Sequence, residues 1–159
     1  MWRPVSALAV ALVLVACAPR PVTPLRTATP AVIILPTELS NGRVELALQP
    51  SFVLGAPTRV DVAIVATSGT ITGPTEARVM ASGINEGGSP AEVLVRRLNA
   101  RTATAGPGRP ATTFVTWDGE DEFGVRVPAD AYVLLLEFES NDGGSTRTIR
   151  ATATLEMND

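Results

Sequence analysis

The chain has 159 residues, of which 45% are hydrophobic, 18% charged and 4% aromatic, with one cysteine and no histidine. These counts exclude a Ser-His-Asp or Cys-His pair, an imidazole zinc site, an intramolecular disulfide and a CxxC redox pair. The formal charge of −3, from 16 acidic residues against 13 arginines and no lysine, provides no basic field for nucleic-acid phosphates, and the length suits one domain.

Residues 1–16 read as a secretory signal. Arg3 supplies the short basic start, an uncharged and largely apolar run extends from Val5 to Val15, and the small residue Ala16 ends it. The run is too short to span a bilayer, which needs about 20 apolar residues. Leu14-Val15-Ala16-Cys17 resembles the lipobox of bacterial lipoproteins. That resemblance implies cleavage between Ala16 and Cys17 and acylation of the Cys17 thiol. The expected result is a lipid anchor in the membrane of the cell envelope. By resemblance to enteric lipoproteins, Ala18 in place of an aspartate after the cysteine permits transfer to an outer membrane. Residues 17–30 hold prolines 19, 21, 24 and 30 among threonines, and so read as an extended Pro/Thr-rich linker.

From residue 31 to 159 short runs alternate apolar and polar side chains and are separated by Gly, Pro, Asn and Asp. Ala31–Leu35 reads as the first strand, Ser40-Asn41-Gly42 as a tight hairpin signal, and Val44–Leu48 as the second strand. Further strands are expected at 59–64, 76–81, 93–98, 112–117 and 132–138. In the last run, Ile149, Ala151, Ala153 and Leu155 oppose Arg150, Thr152, Thr154 and Glu156. The expected fold is all-β, an antiparallel immunoglobulin-like sandwich of about seven strands. Ser140–Ser145 reads as the hairpin joining the last two strands. The stretches 87–90 and 106–110 read as longer, flexible connections.

The segment Thr116-Trp117-Asp118-Gly119-Glu120-Asp121-Glu122-Phe123-Gly124-Val125-Arg126-Val127-Pro128-Ala129-Asp130-Ala131-Tyr132 is a strand ending in a large aromatic, an acidic turn, and a proline leading into another strand. Its Trp117, Asp118, Gly119, Asp121, Gly124, Pro128 and Tyr132 make a pattern similar to the immunoglobulin-like domain of flagellar hook-capping proteins. Val95-Arg96-Arg97-Leu98 resembles that family's V-R-x-L strand. The resemblance implies that the tryptophan and tyrosine pack into the sandwich while the Asp-Gly loop shapes the connection. Asp130 stands where glycine is usual, at a turn that aspartate tolerates with positive φ. A related pattern ends a family of small bacterial proteinase-inhibitor domains, which makes a membrane-tethered inhibitor the alternative function.

Asp118, Glu120, Asp121 and Glu122 are the candidates for a metal site, since clustered carboxylates suit calcium. The EF-hand pattern fails, because its sixth position falls on Phe123 and its twelfth on Ala129. A solvated acidic turn is the simpler reading. No metal, no cofactor and no catalytic residue is therefore expected. The leading expectation is a lipid-anchored envelope protein whose non-catalytic immunoglobulin-like domain binds another protein or assembles at the cell surface.

Overall fold

The computed structural model describes residues 32–49, 51–53, 56–84 and 90–158. Among these the chain forms ten strands: β1 Ile33–Leu39, β2 Gly42–Leu48, β3 Ser51–Val53, β4 Thr58–Ala66, β5 Thr70–Ile84, β6 Pro90–Arg97, β7 Ala103–Ala105, β8 Ala111–Trp117, β9 Ala131–Asn141 and β10 Thr146–Asn158. No helix of the described residues is long and apolar enough to cross a membrane.

The strands build two sheets. The first runs β1-β2-β4-β8, and the second β3-β10-β9-β5-β6 with β7 on the flank of β5. All pairings are antiparallel except the short parallel match of β3 to β10. The chain passes between sheets from β2 to β3, β3 to β4, β4 to β5, β7 to β8 and β8 to β9. The four-stranded sheet thus packs on the six-stranded one as an immunoglobulin-like sandwich.

The alternation seen in the sequence is the reason the layers close. Val44, Leu46 and Leu48 of β2 and Val60, Val62 and Ile64 of β4 point inward, as do Leu134, Leu136 and Phe138 of β9 and Ala151, Ala153 and Leu155 of β10. Burying each of the larger side chains contributes about 1.5–3 kcal/mol before its entropy cost. No disulfide is needed for a core of this extent.

Several boundaries differ from the sequence reading. The sandwich has ten strands where the alternation suggested about seven, because three-residue pieces such as β3 and β7 are too short to show a period of two. β1 continues through Pro36 to Leu39. A proline is compatible with a strand at the outer edge of a sheet, where its missing N–H costs no ladder bond. The stretch 106–110, expected to be flexible, contains a tight turn: Gly106 and Arg109 exchange backbone hydrogen bonds of 3.1 and 2.9 Å around Pro107-Gly108, with Gly108 at φ 68°. The connection 85–89 lies outside the described residues.

Candidate functional site

The motif residues all meet at one end of the sandwich, in the connection from β8 to β9. Trp117 closes β8 with its ring 2% exposed, because the strand's inward face ends over the core there. Its Nε1 donates to the Glu120 carbonyl oxygen at 2.8 Å. The ring meets that of Tyr132 edge-on, with centroids 5.2 Å apart, an arrangement aromatic quadrupoles favour. The Tyr132 hydroxyl in turn donates to the Pro128 carbonyl oxygen, four residues upstream, at 2.8 Å. This is the tyrosine corner of immunoglobulin-like sandwiches, at the start of the strand that follows the crossing. Burial, with the adjacent Asp130 carboxylate adding to it, pushes the Tyr132 phenol above its ordinary value of 10.0.

Between these aromatics the acidic turn is fixed by its own amides. Asp121 Oδ1 accepts from the N–H groups of Phe123 and Val125, both at 2.9 Å, and Asp118 Oδ1 accepts from Glu120 N–H at 3.1 Å. Gly119 and Gly124 adopt φ of 77° and 75°, which a side chain would strain. No residue other than glycine has positive φ among those described, so Asp130 keeps an ordinary backbone. Its carboxylate instead accepts from Ala131 N–H at 2.7 Å, and its carbonyl oxygen accepts from Met157 N–H at 2.9 Å.

The carboxylates are also engaged from β6. Arg96 donates to the Asp121 carbonyl oxygen at 2.8 Å and lies 3.4 Å from Asp118 and 3.8 Å from Glu120. Arg97 lies 3.5 Å from Glu122. Glu122 N–H donates to the Val95 carbonyl oxygen at 3.0 Å, so the turn covers part of the outer edge of β6. The four acidic residues thus act as acceptors for arginines and amides. Among the described residues no cluster of three or more metal-ligating side chains is assembled.

The turn leaves two apolar side chains outside. Phe123 is 91% exposed and Val125 61% exposed, held in place by the same amides that bind Asp121. The alternation gives Phe123 no role, and the one signal for it in the sequence is a phenylalanine set between glutamate and glycine in a polar turn.

A second surface lies on the outer face of the first sheet. Ile34, Ala47, Ala63 and Phe114 line a shallow groove of about 540 Å³ across β1, β2, β4 and β8. The Arg59 guanidinium lies 4.0 Å above the Phe114 ring while pairing with Asp61 at 2.7 Å. The outer face of the second sheet has a different chemistry. There Glu76, Arg78, Glu137 and Arg150 form ion pairs across β5, β9 and β10 at 2.8–3.3 Å.

Ala16 and Cys17 lie outside the described residues. No family model matches the chain, and no curated protein does. Solved structures with a similar arrangement include a β-glucosidase from Listeria innocua in complex with gluconolactone, at 11% identity and a TM-score of 0.42. The match covers 81% of this chain and 16% of that one, so the chain spans about a sixth of the glucosidase. A chaperone–tip adhesion subunit complex of Csu pili from Acinetobacter baumannii aligns at 12% identity and a TM-score of 0.40, over 68% of this chain and 52% of that one. The major subunit of aggregative adherence fimbriae type I from Escherichia coli aligns at 9% identity and 0.38, over 80% and 93%.

Proposed function

We propose that this chain is a lipid-anchored protein of the cell envelope whose immunoglobulin-like domain binds another protein and performs no catalysis. The anchor rests on the lipobox-like Leu14-Val15-Ala16-Cys17 and the Pro/Thr-rich linker after it. The absence of histidine from the sequence, and the engagement of the acidic turn by Arg96, Arg97 and backbone amides, support a non-catalytic domain.

The contrast between the two outer faces carries the binding reading. One face is a ladder of ion pairs across β5, β9 and β10. The other presents Ile34, Phe114 and a stacked Arg59, the residue types that supply binding energy when a partner desolvates them.

A photo-crosslinking side chain at position 114 or 148, in the membrane-bound protein, tests the assignment. Reproducible protein adducts are expected from position 114, lost on Ile34→Glu, and none from position 148. Equal capture at both positions, or none at either, would refute it.

A further inference from the structure

The exposed apolar side chains are unevenly distributed along the strands. Ile34, Ala47, Asp61 and Phe114 stand in register across the first sheet, and three residues further along β4 and β8 lies the Thr58–Trp117 pair at the end of the sandwich. In the second sheet Val93 and Tyr132 both pair with Ala81 near that same end. Val32, where the described chain begins, and the 118–130 turn also lie there. Phe123, Val125, Val32 and Val93, 51–91% exposed, therefore all sit on the end at which the described chain begins. The opposite end carries the turns at 40–41, 67–69, 106–109 and 142–145, made of small and polar residues.

We propose that the Phe123 end of the domain rests on the lipid bilayer, with Phe123 and Val125 entering its interfacial layer. The inference rests on the reading of Cys17 as the anchor. Fifteen residues, 17–31, separate that cysteine from the described chain. At about 3.1 Å per residue in a proline-rich chain they reach roughly 45 Å, so the domain never leaves the neighbourhood of the surface. At such an effective concentration a weak interface suffices. Insertion of exposed apolar side chains is favourable at the interface. The flanking carboxylates do not oppose it strongly, because Glu120 and Glu122 lie beside Arg96 and Arg97 and an Asp121 oxygen is occupied by two amides. Because Asp118, Glu120, Asp121, Glu122 and Asp130 outnumber Arg96, Arg97 and Arg126 around the turn, the surface suits zwitterionic lipid and not anionic headgroups.

The test uses Phe123→Trp, a change at a side chain in solvent that leaves the core untouched. The chain from Cys17 onward contains every core residue, from Val44 to Met157. Its sole cysteine is joined to a maleimide lipid in phosphatidylcholine vesicles whose acyl chains carry bromine, and the parent chain with Trp117 alone is the control. The expected result is a blue shift and loss of emission from the introduced indole, reversed by adding Val125→Ser. Emission and acrylamide accessibility identical to the unattached chain would overturn the docking. Because the thiol is coupled chemically, that result is independent of acylation in the cell. Unchanged membrane retention of Cys17→Ser in the cell would instead remove the anchor and leave the vesicle result standing.

Discussion

The Ser140 hydroxyl donates to Asn41 Oδ1 across 2.7 Å, although 99 residues separate them in the chain. The Asn41 side-chain amide also reaches the carbonyl oxygens of Ser68 and Asn141, at 3.3 and 3.5 Å. One buried side chain thereby ties the β1–β2, β4–β5 and β9–β10 turns into a single end of the sandwich. The packing around it is close. A Cβ on Gly69 would lie 1.9 Å from the Asn141 carbonyl oxygen, and one on Gly42 2.0 Å from that of Val65.

Asn41→Ala strands the buried Ser140 hydroxyl, at about 1–3 kcal/mol, and leaves the carbonyl oxygens of the exposed Ser68 and Asn141 to water. We expect a loss of about 2–3 kcal/mol by urea denaturation, against about 1 kcal/mol for Ser140→Ala. The double variant should lose less than the sum, since both changes remove the same bond.

Tyr132→Phe deletes the hydroxyl that closes on Pro128 and leaves the ring against Trp117. The expected cost is about 1 kcal/mol, the net value of one such bond. Trp117→Ala empties the end of the core and should cost about 3–5 kcal/mol. Equal losses in the two variants would contradict the division between bond and packing.

The motif at 116–132 was legible as a strand, turn and strand because it contains a large aromatic, two glycines and a proline at turn spacing. The alternation in β4 and β10 likewise declared their inward faces, and Val60, Val62, Ile64, Ala151 and Ala153 are all buried. What the pattern could not express was long-range pairing. Asn41 looked like a turn residue only, since its partner lies 99 positions away. Arg96 looked like one residue of an amphipathic strand, yet it reaches three residues of the acidic turn. Period-two reading assigns a face and says nothing about which loop folds over it.

Arg96→Ala should loosen the turn more than the fold. Hydrogen exchange at the amides of Glu122, Phe123 and Val125 should accelerate, with the amides of β9 unchanged. Arg96→Lys should rescue little, because a single ammonium cannot reach the Asp121 carbonyl and both carboxylates at once. Full protection in Arg96→Ala would show that the Asp121 amide bonds hold the turn alone.

Two side chains give the domain opposite pH responses. The folded state holds the Tyr132 proton more tightly than the unfolded chain does. Its contribution is therefore complete below the unfolded value of about 10 and is lost as pH rises through the folded one. Asp142 accepts backbone bonds from Ser145 and Gly144, which hold its carboxyl below the ordinary 3.8. That contribution is present above pH of about 4 and disappears on acidification through the lowered value. Melting temperatures should fall at both extremes, with Tyr132→Phe flattening the alkaline limb and Asp142→Asn the acid limb.

The anchor is the claim on which the protein's place in the envelope depends, and the mass of its mature N-terminal peptide tests it most directly. Membrane-extracted protein should yield a peptide beginning at Cys17 and carrying the mass of a diacylglycerol. Cys17→Ser should lack that mass and leave the membrane fraction. An unmodified Cys17, or a peptide that retains Met1–Ala16 in protein still held by the membrane, would contradict the account.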